Sequence, residues 1–168
     1  LTAASTMTVA NVDTLIGSAS NDNITISSAA TISVTSLETI TGTTNTESIT
    51  IASGASTLTA TLLDTLIGNG SAQTVTLGAA QTSAIINLLG GSDSLTTVAG
   101  VNTLSVFNTE TIVGGGTDNI TLGGASGGSL QVATVETLTG TTAGEQVTFS
   151  AANTTTLNGI ETLIGSVS

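Results

Sequence analysis

Leu63-Asp64-Thr65-Leu66-Ile67-Gly68 reads apolar, acid, Thr, aliphatic, variable, Gly, and the chain returns to this phrase throughout its length. It stands as Val12-Asp13-Thr14-Leu15-Ile16-Gly17 and Leu37-Glu38-Thr39-Ile40-Thr41-Gly42, and recurs over 109–114, 135–140 and 160–165. A degenerate copy, Ile85-Ile86-Asn87-Leu88-Leu89-Gly90, fills the one wide gap. The closing glycines, at 17, 42, 68, 90, 114, 140 and 165, define six intervals that cover 148 residues, about 24.7 each.

Two further phrases complete each unit. The second begins about nine residues after the first acid, as in Asp22-Asn23-Ile24-Thr25-Ile26 and Glu47-Ser48-Ile49-Thr50-Ile51. The third is a shorter apolar stretch such as Ile32-Ser33-Val34 or Leu104-Ser105-Val106. Alternation of period two, enrichment in Thr, Val and Ile, and Gly/Ser/Asn/Ala connectors mark all three as strands. Three short strands in about 25 residues predict one coil of a three-sided parallel β-helix. The expected fold is therefore an all-β parallel β-helix (β-solenoid) of about seven coils, three short strands per coil.

In such a coil each residue is expected to sit on its counterpart in the next. That stacks Leu15, Ile40, Leu66, Leu88, Ile112, Leu138 and Leu163 as one inward ladder, with Thr25, Thr50, Thr76, Thr96, Thr121 and Thr148 as a hydroxyl ladder. The recurring glycine is expected to mark a corner of positive φ. The chain starts and stops within a repeat and carries no capping sequence, so residues 1–168 are expected to form a single uncapped array. It is either a segment of something longer or a subunit that stacks head to tail.

Composition narrows the function. Lys, Arg and His are absent and eleven Asp and Glu give a formal charge of −11. Nothing here neutralises phosphates, which excludes nucleic acid as a partner. Mean hydropathy is +0.47, well above that of disordered chains, and Cys is absent. No apolar run has the length of a membrane span, and with 1% aromatic residues the girdles of an outer-membrane barrel are missing. A Ser-His-Asp triad is impossible, and so is any nucleophile activated by His, Lys or Cys. A carboxylate pair acting on a sugar would lack aromatic platforms, so no enzyme and no small-molecule substrate is expected.

All eleven acids fall in two slots of the repeat. The first slot holds Asp13, Glu38, Asp64, Glu110, Glu136 and Glu161, interrupted at Ile86; the second holds Asp22, Glu47, Asp93, Asp118 and Glu145, interrupted at Gln73. If like stacked on like at about 4.8 Å, each neighbouring acid pair would repel by roughly 0.9 kcal/mol in water and about 3.5 kcal/mol at an effective dielectric near 20. Without a basic residue the remedies are solvation, salt, protonation or a bound cation, and an all-oxygen donor set points to calcium. The second slot is the preferred set of ligands and the first the weaker one. The competing reading is that the acids only keep the surface solvated.

Gly116-Thr117-Asp118-Asn119 and Gly90-Gly91-Ser92-Asp93 resemble pieces of the glycine-rich repeat of RTX proteins, although that motif recurs about every nine residues and this acid about every 25. The phrase acid-Thr-Leu/Ile-x-Gly, as in Glu136-Thr137-Leu138-Thr139-Gly140, resembles the Thr/Ala/Gly-rich repeats of bacterial surface-layer (S-layer) proteins and large RTX-type adhesins. The resemblance implies secretion to the bacterial cell surface by a type I exporter and calcium-dependent self-assembly into a layer or filament, the partner being the chain itself. An adhesin stalk is the alternative. Ice binding is a lesser one, because an ice-binding face favours paired outward Thr columns and the expected T-x-T is Thr74-Val75-Thr76 alone.

Overall fold

The computed structural model describes residues 1–43, 46–54, 56–123, 129–141, 145–151 and 154–165. Among them there is no helix; nineteen short strands build a parallel β-solenoid with two faces. Sheet I is ten-stranded: β1 (Ser5–Val9), β3 (Asp22–Ile26), β5 (Thr39–Thr41), β7 (Ser56–Thr61), β9 (Gln73–Leu77), β11 (Ser94–Thr96), β13 (Thr111–Val113), β15 (Ser129–Ala133), β17 (Gln146–Phe149) and β19 (Thr162–Ile164). Sheet II is nine-stranded: β2 (Thr14–Ile16), β4 (Ala30–Thr35), β6 (Glu47–Ile51), β8 (Thr65–Asn69), β10 (Thr82–Leu89), β12 (Val101–Phe107), β14 (Thr117–Leu122), β16 (Thr137–Thr139) and β18 (Thr156–Asn158).

The chain thus crosses from one sheet to the other after every strand and completes about nine turns, where seven three-sided coils were expected. A turn takes 16 residues at its shortest, Val101 lying beside Thr117, and 21 at its longest, Thr82 lying beside Thr103. The three strands of each repeat are real, but a turn uses only two of them. One repeat therefore spans about one and a half turns, and successive copies land on opposite sheets, except across β10: Asp22 opens β3 on sheet I and Glu47 opens β6 on sheet II.

Like does not stack on like as expected. Leu15 lies beside Val34 and Ile24 beside Ile40, so each phrase rests on a different phrase. This is possible because all three phrases alternate outward polar with inward aliphatic residues, and any of them fills the same pleat. The inward rows form one continuous core. Ile24, Ile40, Ile49, Val75, Leu95, Ile112, Ile120 and Leu138 are all fully buried, each contributing roughly 1.5–3 kcal/mol through removal of its side chain from water.

The degenerate copy is where two strands fuse. β10 runs through both the third phrase of one repeat and the first of the next, with a register shift between Thr82 and Ala84 and positive φ (70°) at Ser83. Ile86 does not stand in an acid slot. It is buried between Leu66 and Val106 in the core.

The recurring glycines also differ from expectation. Gly17, Gly42, Gly68, Gly114 and Gly140 do not have positive φ. A Cβ at Gly17, Gly42, Gly114 or Gly140 would overlap the carbonyl oxygen of Ser36, Leu62, Thr134 or Gly159 one turn away. Those carbonyls belong to the left-handed residues of the corners, Ser36 (φ 53°), Leu62 (φ 53°), Thr134 (φ 53°) and Gly159 (φ 67°), each two residues before a first-slot acid. Close backbone approach, not a left-handed turn, is what demands glycine here.

This gives a contrast to measure. Gly42→Ala should destabilise the fold by roughly 1–3 kcal/mol or more through forced displacement of the neighbouring turn. Gly70→Ala, whose Cβ meets nothing within 4 Å, should change stability by less than about 0.5 kcal/mol. Thermal melts of the two variants decide it.

Candidate functional site: the carboxylate edges

Every acid lies at one of the two edges where the chain changes sheet, and none lies among the outward residues of either face. The first edge, leading from sheet II into sheet I, carries in order Asp22, Glu38, Gln73, Asp93, Glu110, Glu145 and Glu161. The second edge, leading back into sheet II, carries Asp13, Glu47, Asp64, Gln81, Asn102, Asp118 and Glu136. Neither edge is a column of one slot. Slots alternate within each couple, because successive repeats fall on opposite sheets except across the fused β10, where Gln73 and Asp93 are neighbours on sheet I.

The consequence is a cross-slot bond repeated along the molecule. A first-slot carboxylate accepts a hydrogen bond from the backbone N–H of the second-slot acid one turn earlier. Asp22 N donates to Glu38 Oε2 at 2.8 Å, Glu47 N to Asp64 Oδ2 at 2.9 Å, Asp93 N to Glu110 Oε2 at 2.6 Å, Asp118 N to Glu136 Oε2 at 2.7 Å and Glu145 N to Glu161 Oε2 at 2.8 Å. A charged acceptor makes these bonds short and strong.

The second-slot side chains are buried and most fold back on their own turns. Asp22 Oδ2 accepts from Ser18 N at 2.6 Å and from the Ser18 hydroxyl at 3.0 Å; the Thr43 hydroxyl donates to Glu47 Oε1 at 2.5 Å. Asp118 Oδ2 accepts from Gly115 N and Gly116 N, and Thr141 donates both N–H and hydroxyl to Glu145 Oε1. Asp93 instead takes Gln73 N on Oδ1 at 2.7 Å. By contrast Asp13, Asp64, Glu136 and Glu161 are exposed and Glu38 and Glu110 half-buried.

Amides stand where carboxylates would otherwise run on. Gln73 precedes Asp93 and Glu110 on the first edge; Gln81 and Asn102 precede Asp118 and Glu136 on the second. Gln81 Oε1 accepts from Leu63 N, Asn102 Oδ1 accepts from Gln81 N, and Asn102 Nδ2 donates to Asp118 Oδ1 at 2.9 Å. An amide caps a backbone N–H as a carboxylate does but adds donors and no charge. The repeat period does not mark Gln81 and Asn102, since the fused β10 removes them from phase.

The calcium expectation required facing acids; the structure instead joins acids of different slots in couples through the backbone N–H of one and the carboxylate of the other. Among the described residues no group of three or more acids gathers at one point. Much of the repulsion is met by backbone donors. The chain matches no known protein family, no curated protein and no solved structure.

Proton affinities follow from these contacts. The Ser18 N–H leads in holding Asp22 below the usual carboxylate range, against the opposing effect of burial. Burial acts upward on Glu145, but the Thr141 and Glu161 hydrogen bonds prevail and bring it from 4.5 to about 2. Asp93 is pushed up, by burial first and then by the Glu110 charge, against the Gln73 N–H. Asp22 and Glu145 therefore contribute stability that is present above the ordinary carboxylate value and lost as pH falls, for Glu145 toward about 2. Asp93 has the opposite sign, its contribution being lost as pH rises through the raised value. In chelator, Glu145→Gln should lower the melting temperature at neutral pH and lose its effect near pH 2. Asp93→Asn should not lower it at neutral pH. Melting curves against pH separate the two.

Proposed function

We propose that the chain is an extracellular structural element of a bacterial cell surface, a rod whose turns continue by stacking into a layer or filament, with calcium steadying its acidic edges. The observation that carries this reading is the unbroken parallel ladder. Among the described residues β1 and β2 pair with a strand on one side only, as do β18 and β19, and on the outer edge of β2 the Leu1 amino group donates to Ile16 O. Further turns fit against these end strands, whether from more of the same chain or from another copy. The lack of any cation among the side chains agrees with a polymer that makes no use of ionic partner recognition, and the reading requires no catalysis.

Electron microscopy of the purified protein, with calcium and with chelator, tests the proposal. Sheets or filaments that form in calcium and disperse in chelator are the expected result. Monomers at high concentration in calcium would replace it with the adhesin-stalk reading.

A second reading, ice binding, is favoured by one feature of sheet I. Outward threonines recur well beyond Thr74 and Thr76: Thr6, Thr39, Thr59, Thr76 and Thr96, with Asn23 between the first two, form one column that ends at Val113, and Thr8, Thr25, Thr41 and Thr61 form the next. Such an uncharged lattice of hydroxyls offers regularly spaced partners to ordered water. Sheet I exposes large apolar residues only on its end strands, Met7 on β1 and Leu163 and Ile164 on β19, whereas sheet II exposes Ile16, Ile85, Leu89 and Val101, two of these on the internal β10. Thermal hysteresis and faceted ice crystals, both lost in Thr41→Lys, are the expected signs; unmodified ice growth with the parent protein removes this reading.

A further inference from the structure

Four of the five cross-slot couples contain a buried carboxylate oxygen with no hydrogen-bond partner. These are Asp22 Oδ1, whose carboxylate is also acted on by the Ser5 N–H one turn back, Glu47 Oε2, Asp93 Oδ2 and Glu145 Oε2; the other orphaned side-chain atoms among the described residues are the hydroxyls of Ser28 and Ser56. Leaving a charged oxygen dry and unpaired is costly. The fifth couple differs in one respect. Asn102 donates its amide N–H to Asp118 Oδ1, while Gly115 and Gly116 serve Oδ2, so neither oxygen of Asp118 is orphaned.

We propose that the couples Asp22/Glu38, Glu47/Asp64, Asp93/Glu110 and Glu145/Glu161 are hard-cation sites, each joining two consecutive turns, and that Asp118/Glu136 is not one because the Asn102 amide supplies the missing hydrogen-bond donor. The inference rests on the calcium part of the structural reading and replaces single-slot ladders with a definite set of sites.

Two surface clefts support it. One is lined by Ser18, Ser36, Leu37, Glu38 and Ser53 beside the first couple, and the other by Thr43, Leu63, Asp64 and Gln81 beside the second. Each cleft opens onto the first-slot acid of its couple, Glu38 or Asp64, with hydroxyl or amide oxygens in the same lining, while Asp22 and Glu47 lie behind it. Two carboxylates with hydroxyls, backbone carbonyls and water make the all-oxygen shell of roughly six to eight ligands that calcium accepts, and so few fixed charges place affinity in the weak range of about 10⁻⁴–10⁻³ M. A cation between turns also favours the folded solenoid, since the unfolded chain does not hold the two acids together.

Calcium titration by calorimetry and melting with calcium or chelator, on the whole chain, tests the assignment. The parent should bind four calcium ions, one for each orphaned oxygen, and melt higher with calcium. Asp93→Asn and Glu47→Gln should each lose one ion and part of the calcium-dependent rise, while Asp118→Asn keeps the full count. Asn102→Asp, which replaces the donor with a second carboxylate, should gain one ion. Melting in chelator establishes that each variant is folded. Loss of calcium from Asp118→Asn equal to that from Asp93→Asn, or a parent that binds no calcium, overturns the proposal. Assembly is scored separately by microscopy: a variant lacking all four sites that still forms filaments leaves this assignment standing and removes calcium from the structural reading.

Discussion

The hydrogen-bond ladder that joins each turn to the next governs the rest of the structure. It sets strands about 4.8 Å apart and places each side chain directly over another. A residue in this fold is therefore chosen largely by what lies one turn away. The inward rows meet the demand with Ile, Leu and Val throughout, and the corner glycines meet it by leaving room for a carbonyl. Even the left-handed corner residues follow from it, because their φ turns that carbonyl toward the glycine. Leu62 accepts a conformation that costs an L-residue roughly 1–2 kcal/mol, held by the buried Leu63 and the capped strand that follow.

The same ladder makes charge difficult, and the chain's response is to use acids as caps. Backbone N–H groups at the corners fall outside the regular strand pairing and need acceptors. Carboxylates provide them across turns, so Glu38, Asp64, Glu110, Glu136 and Glu161 serve as structural joints between consecutive turns. Beside three of the couples Gln73, Gln81 or Asn102 takes the neighbouring position and retains an amide acceptor without the charge. The faces are left neutral, sheet I as a threonine lattice and sheet II with scattered aliphatics, while the whole charge of −11 lies along the edges.

Much of this was legible in the residues themselves. The repeat, the strand phrases, the β-solenoid class and the gathering of all acids into two slots come from period and pattern, because alternation and β-branching are local properties. The number of sides was not legible. Three equivalent phrases fit a three-sided coil or a two-sided one equally well, since each phrase presents the same pleat. The pairing of the acids then went astray with it: a turn of one full repeat stacks Asp22 on Glu47, whereas a turn of two strands stacks it on Glu38.

By itself, then, the sequence determined a parallel, aliphatic-cored, wholly acidic solenoid without a side-chain cation, for these depend on composition and on alternation along a single strand. Only the tertiary structure decided that a turn closes after two strands, that acids of different slots meet, and that Asn102 partners Asp118 while Asp22, Glu47, Asp93 and Glu145 each keep an oxygen unpaired. The reason is physical: where the chain bends is set by corner geometry at residues such as Ser36, Leu62 and Thr134, whose left-handed φ has no mark in their side chains.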